Sequence, residues 1–424
     1  MDRDTHDFLD LLKTLDEHSF TPVRELFNTK ADLIVSRAPG RLDVMGGIAD
    51  YSGSHVLEFP IAEATFVALQ PNTERRLNIV TLLDDEPHHS SFTMPLSELD
   101  GPVEYEAARE FFTNSWTAYV AGVFLVLMRE RDVSFEFGAN ILISSRVPPG
   151  KGVSSSAALE VAVMQAVTVA FEIEIDGRDK ALLCQKVENL VVGAPCGVMD
   201  QMTAVFGERD RLLLMLCQPA ELKRMITLPR ELMLWGIDSG IRHSVGGADY
   251  GSVRAGAFMG TRIIAELNAD FSADGYLANI SPAEFEREYL DLLPEHIRMP
   301  TAHPIYENVR VQRFVELLER NEAYEELGEL MYEAHRSYTA LGLNSSGTDL
   351  IVELVRKEAG LFGAKITGGG SGGTVAVLGD QTSRAAVERV VHNYAKETGH
   401  QPYIFSGSSP GALAFGHLQL SLAR

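Results

Sequence analysis

The stretch Pro148-Pro149-Gly150-Lys151-Gly152-Val153-Ser154-Ser155-Ser156-Ala157-Ala158-Leu159-Glu160 reads as a loop that turns directly into a helix. Gly150 and Gly152 let the backbone approach a ligand without a Cβ in the way. The serines supply hydroxyls and N-cap candidates, and Leu159, Val161, Val163 and Val167 continue as an apolar helix. The first turn of such a helix offers free N–H groups at the positive end of the helix dipole, which suits a phosphate. Lys151 adds a mobile charge. The stretch is not the G-x-x-x-x-G-K-[ST] phosphate loop, because Ser145 stands at the first glycine position and Gly152 follows the lysine. Taken alone it is an ordinary capped helix after a glycine turn, so its reading depends on the segments around it.

Upstream, a strand-like Asp32–Ser36 enters Arg37-Ala38-Pro39-Gly40-Arg41-Leu42-Asp43-Val44-Met45-Gly46-Gly47-Ile48-Ala49-Asp50-Tyr51-Ser52-Gly53. This segment reads as a glycine-dense loop between strands, holding an arginine and two aspartates. Loops on a rigid scaffold carry chemistry, although Asp43 and Asp50 could equally bond local backbone in a polar turn. Downstream, Gly193-Ala194-Pro195-Cys196-Gly197-Val198-Met199-Asp200-Gln201-Met202 surrounds Asp200 with small and apolar residues. Partial desolvation then raises its pKa or its demand for a cationic partner; helix capping explains the residue as well. A polar loop from Ser239 to Tyr250 includes Arg242, His243 and Ser244, and the lone histidine reads as structural.

A third glycine-rich segment, Gly363-Ala364-Lys365-Ile366-Thr367-Gly368-Gly369-Gly370-Ser371-Gly372-Gly373-Thr374, satisfies G-x-G-x-x-G at Gly368, Gly370 and Gly373. A strand, Thr374–Leu378, follows it, whereas the dinucleotide fingerprint must open a helix. A nicotinamide oxidoreductase is therefore rejected. What remains is a backbone cradle with Lys365 close by.

The rest of the chain alternates. Helical periodicity covers 5–30 (Phe8, Leu11, Leu12 and Leu15 on one face), Glu104–Met128, Ser154–Phe171, Asp179–Val192, most of 251–345, Asp349–Ala359 and Ser383–Glu397. Strand-like alternation covers His55–Leu69, Leu77–Leu82, Phe135–Ser144 and Leu232–Asp238, and a terminal strand pair closes the chain. Trp116 and Tyr119 lie three apart on one helix face, where core packing outweighs a base-stacking wall. The glutamates at 316, 319, 322, 325 and 326 form a solvated face.

At 424 residues, two domains are expected, divided here as 1–215 and 216–424. A net charge of −22 argues against nucleic acid and anionic membranes as partners. Cys184, Cys196 and Cys217 show no zinc spacing, and a sparse odd count fits a reducing compartment. With no signal peptide and no spanning apolar run, a cytoplasmic location is expected.

The three glycine-rich loops in this order resemble those of the GHMP kinases, the superfamily of galactokinase, homoserine kinase and mevalonate kinase. The likeness spans Arg37 to Leu378. Cys196-Gly197-Val198-Met199-Asp200-Gln201 and Arg242-His243-Ser244 are similar to the galactokinase branch. The resemblance implies an α/β (α+β) two-domain fold. Its N-terminal half would resemble ribosomal protein S5 domain 2 and its C-terminal half would be ferredoxin-like, with the active site between them. It implies ATP and a small sugar as partners, Mg²⁺ as cofactor, and phosphoryl transfer to an anomeric hydroxyl.

By position, Asp200 matches the catalytic base and Arg41 the arginine that activates the hydroxyl. Ser156 and Glu188 match Mg²⁺ ligands. Pro149, Gly150, Lys151, Gly152, Val153, Ser154 and Ser155 match the ATP phosphate loop, with Gly369 and Gly370 of the third loop also on the nucleotide. Trp116 matches an adenine-pocket residue, and Asp50, Gly197 and Tyr250 match sugar contacts. A broken base, metal site or phosphate loop would mark a non-catalytic sugar sensor, and none of these is broken here.

One departure bears on the substrate. Galactokinases carry Glu-His-Thr-Asp-Tyr where this chain has Gly47-Ile48-Ala49-Asp50-Tyr51. The missing pair serves the C6 hydroxyl of the sugar, and a site that kept it would leave polar groups unpaired against a sugar lacking that hydroxyl. Gly47 and Ile48 present an apolar wall instead. The same loop, with Gly193–Gln201 and Ile237–Gly247, is similar to the kinase domain of plant L-arabinokinases. A pentose, L-arabinose, is therefore expected over galactose, the alternative.

Overall fold

The chain is described here from a computed structural model covering all residues except 1, 83–88, 102, 113–114, 242–247, 272–274, 372 and 423–424. Strand β1 (Leu33–Met45) is buried along its length apart from Ile34. Its second half occupies the segment expected to be a loop. Pro39, Gly40 and the polar Arg41 and Asp43 give that segment the composition of a turn. The strand instead accommodates them with irregularities between Pro39 and Arg41 and between Asp43 and Met45, and the charged side chains find partners indoors.

β1 pairs along β2 (His55–Asn72), an 18-residue strand long enough to serve two neighbours at once. One end of β2 pairs with β5 (Gly138–Ser145) and the other with β6 (Arg211–Leu216). β3 (Arg76–Leu82) runs parallel to β5 and carries β4 (Ser90–Pro95) at the edge, while β7 (Glu221–Thr227) extends the sheet beyond β6. A second, four-stranded antiparallel sheet has the order β11-β8-β10-β9, from β8 (Leu232–Asp238), β9 (Leu361–Ile366), β10 (Thr374–Asp380) and β11 (Ile404–Ser406). The expected terminal strand pair does not form. β11 joins this second sheet, and β12 (Leu418–Leu420) returns to the first, beside the start of β1. Alternation marks a strand but does not name its partner.

The helices are α1 (Arg3–Lys13), α2 (Thr21–Arg24), α3 (Tyr105–Ala108), α4 (Ser115–Glu130), α5 (Ser155–Ala170), α6 (Gly177–Lys186) and α7 (Met199–Phe206) in the first half. In the second they are α8 (Ala248–Leu267), α9 (Pro282–Glu284), α10 (Glu295–Arg320), α11 (Tyr324–Ala340), α12 (Ser346–Arg356), α13 (Arg384–Thr398) and α14 (Ala412–Phe415). The expected 5–30 helix thus breaks into α1 and α2, and 104–128 into α3 and α4. No described helix is long and apolar enough to cross a membrane.

α5 is apolar on nearly every side and packs across β1 and β2. A second core lies between the sheets. Leu42, Leu57 and Phe59 of the first meet Leu234, Ala376 and Leu378 of the second, with Phe314 and Leu327 from α10 and α11. This shared layer holds the three glycine-rich segments against one another.

Candidate active site

Arg41 and Asp200 meet at the floor of a cleft. Asp200 lies in the first turn of α7 but does not cap it, so the capping alternative fails. Its Oδ1 accepts from Arg41 Nε at 2.9 Å and lies 2.7 Å from the terminal nitrogen NH2. Arg41 NH1 donates to the Gly152 carbonyl at 2.6 Å, tying β1 to the loop before α5. Burial works against the Arg41 charge, but the Asp200, Glu58 and Asp43 carboxyls more than offset it and hold its pKa above the ordinary value.

The loop before α5 has the shape expected but not the capping. Gly150 and Gly152 both take left-handed φ values near 72°, and so does Ser154 at 61°. Ser154 makes no capping bond, and its hydroxyl is buried with no hydrogen-bond partner. It faces the cleft together with Ser155 and Ser156. Lys151 is not a loose charge, since it pairs with Asp238 on β8 at 2.7 Å. Thr374 Oγ1 donates to the Lys151 carbonyl at 2.8 Å, which joins the first glycine loop to the third. Lys365 stays beside that cradle through Asp43, whose Oδ2 also accepts from the Gly368 N–H at 3.3 Å. It is fully buried and paired with Asp43 at 2.8 Å.

Glu188 sits in a π-helical turn, Val187–Val192, that continues α6. It is bonded by the side chains of Ser156, Cys196 and Gln201. Burial, reinforced by the Asp200 anion, pushes its pKa up to about 7. A hydroxyl beside a crowded, buried carboxyl is the kind of hard-oxygen set that a divalent cation would relieve of its excess negative charge. The residues fit Mg²⁺ in that sense.

On the opposite wall, Asp50 is buried and its pKa is pushed up to about 7 by burial and the Asp200 charge, with Arg254 opposing. Its carboxylate lies so close to Gly197 that a Cβ there would stand 1.7 Å from Oδ2, so any side chain at 197 would have to displace Asp50. Tyr250, in α8, is half-buried, and desolvation with the Asp50 charge raises its pKa. Ile48 is 1% exposed and left-handed at φ 53°, a strained conformation for a β-branched residue. Behind it, a Cβ on Gly47 would fall 2.0 Å from Asp43 Oδ2 and 2.1 Å from the Tyr338 hydroxyl. The Gly47 carbonyl is held by His303 Nε2 at 3.1 Å.

The cleft is lined by Arg41, Ile48, Asp50, Gly150, Gly152, Ser154, Ser155, Ser156, Glu188, Gly197, Asp200, Tyr250 and Gly369. Gly47, Trp116, Pro149, Lys151, Val153 and Gly370 do not line it. Trp116 is half-buried against the core under the first sheet. Arg242, His243 and Ser244 lie outside the described residues. Sequence reasoning missed Pro195, Cys196 and Met199 in the lining and the buried Glu58, Glu160 and Gln201 behind it. A lone acid inside an apolar run, as in Val56-Leu57-Glu58-Phe59, was the available signal.

Comparisons with known proteins bear on the family and the fold. The GHMP kinases N terminal domain matches residues 118–208, the GHMP kinases C terminal domain residues 314–397, and the galactokinase galactose-binding signature residues 24–71. L-arabinokinase of Arabidopsis thaliana is 44% identical over 93% of this chain, which spans about half (47%) of that protein's length. Galactokinase of Chloroflexus aggregans is 32% identical over 87% of this chain and 90% of its own. The crystal structure of Lactococcus lactis galactokinase complexed with galactose superposes with a TM-score of 0.83 at 21% identity, covering 98% of this chain and 100% of that one. From this sequence likeness and shared fold, the chain belongs to the GHMP kinases, in the galactokinase family of sugar kinases.

Proposed function

We propose that the protein transfers the γ-phosphoryl group of ATP to the anomeric hydroxyl of a monosaccharide, most specifically L-arabinose, giving L-arabinose 1-phosphate. The observation that carries the reading is the Arg41–Asp200 pair at the meeting point of the Gly150–Ser156 loop and the Asp50, Gly197 and Tyr250 wall. Asp200 takes the proton of the attacking hydroxyl, and Arg41 holds Asp200 in place and offsets charge as the phosphoryl group moves. The free N–H groups at the start of α5 and the Ser154 hydroxyl receive the phosphates. Ser156 and Glu188 would hold Mg²⁺, which would supply positive charge to offset that of the phosphates. Trp116, Gly369, Gly370 and the flanks of the phosphate loop are assigned to the nucleotide.

The pentose is supported by the bare position 47. Asp43 and Tyr338 fill the room that a side chain there would take, leaving Ile48 as an apolar wall. The match of residues 24–71 to a galactose-binding signature favours D-galactose as the second reading. As functional halves, we assign the sugar and phosphate loops to 1–215 and the third glycine loop to 216–424, with β7 and β12 the second unit's contribution to the first sheet. The three unpaired cysteines suit a reducing cytoplasm.

An ADP-release assay with ATP, Mg²⁺ and a panel of monosaccharides tests the proposal. Turnover highest with L-arabinose is expected. Preference for galactose transfers the assignment to that sugar, and ATP binding without turnover on any sugar makes the chain a sensor.

A further inference from the structure

Beneath Arg41 lies a set of charges that the proposed transfer does not use. Asp43 on β1 and Glu58 on β2 are register partners in the antiparallel pair, and both are completely buried. Asp43 Oδ2 accepts from Lys365 Nζ at 2.8 Å and from the Gly368 N–H at 3.3 Å. Its Oδ1 has no donor, and neither oxygen of Glu58 has one. Arg41 Nε comes within 3.2 Å of Glu58 Oε2, but its hydrogen is given to Asp200. Three carboxyls (Asp43, Glu58 and Asp200) therefore face two cations, Arg41 and Lys365. Glu307, the next acid along, is satisfied by Arg310 and the Gly46 N–H. Uncompensated carboxylate oxygens in a dry interior are costly, and a single proton between the facing carboxyls supplies the missing donor and balances the charge.

We propose that Asp43 and Glu58 share one proton, which Glu58 holds and donates to Asp43 Oδ1, so that Glu58 is a positioning residue for Arg41. Burial and the neighbouring Asp43 anion both favour the neutral form of Glu58 and push its pKa well above the ordinary value. With the proton in place, Arg41 faces one full negative charge, at Asp200. Without it, a second anion stands against the same nitrogen and competes for the guanidinium.

The inference goes beyond the sugar-kinase reading, and its first test needs no turnover. Infrared difference spectra of the intact, unliganded chain at neutral pH, wild type against Glu58→Gln, are expected to show a protonated-carboxyl stretch that the variant lacks. Asp43→Asn is expected to shift or abolish that band, and it carries the test alone should Glu58→Gln not fold. Identical spectra for wild type and Glu58→Gln, or a band indifferent to Asp43→Asn, overturn the shared proton. The positioning role is read from kcat against pH, each protein normalised to its own neutral rate. Wild type is expected to lose turnover on the alkaline side, while Glu58→Gln, whose amide donates at every pH, loses that limb. A limb that persists unchanged overturns the positioning role.

Discussion

Asp200 and Arg41 share one contact yet should fail differently when replaced. Asp200→Ala is expected to lower kcat by about 10²–10⁴, the usual worth of a positioned base, while a fluorescent nucleotide still titrates with wild-type affinity. Arg41→Ala should depress kcat more than it raises the sugar KM, because its charge matters most when phosphoryl charge is developing; the reverse split would assign Arg41 to binding. Asp50 makes a prediction about stability. Its ordinary pKa is 3.8 and its folded value is about 7. Between these the folded chain binds more protons than the unfolded one, so unliganded stability falls as pH rises and levels off above about 7. Asp50→Asn should flatten that decline and, at pH 8, stabilise the unliganded protein by on the order of 4 kcal/mol. Denaturation curves of parallel pH dependence would refute the shift. Asp50 and Asp200 were legible because each sits among glycines and apolar residues in a recognisable segment, whereas Glu188, inside a helical pattern, came only with the family resemblance. Lys365 was not legible, since its partner Asp43 is 322 positions away and no local pattern connects them.

Among the elements, β1 and the turn after α6 depart most from expectation. Pro39, Gly40 and the charges of β1 mimic a loop in composition, but strand pairing and internal ion pairs override that local signal. The periodicity over 179–192 predicts one helix, and the structure changes to π geometry for its last six residues. Over so short a run the two periods cannot be told apart in sequence, yet the π turn is what carries Glu188 and ends at Gly193. The first and third glycine loops were each legible, but not the bond between them. Thr374→Val, which deletes the hydroxyl on the Lys151 carbonyl, should cost about 1 kcal/mol of stability and raise the KM for ATP while leaving that for sugar unchanged. An equal rise in both would place the bond's effect elsewhere.

At the scale of the whole molecule, the apolar layer between the sheets should make unfolding a single event. The chain has two tryptophans, Trp116 in α4 and Trp235 in β8, which report on the first and second sheets. Trp116→Phe and Trp235→Phe, each leaving one reporter, should give the same urea midpoint; separated midpoints would show that the sheets melt independently. The mixed α/β class and the cleft followed from the order of loops and elements along the sequence. The sheet membership of β7 and β12 did not, because strand pairing across such separations leaves no trace in composition. β12 has a consequence during synthesis. Residues 33–35 leave the ribosome long before their outer neighbour, 418–420. Until that neighbour emerges, this edge of the nascent sheet stands open to other chains.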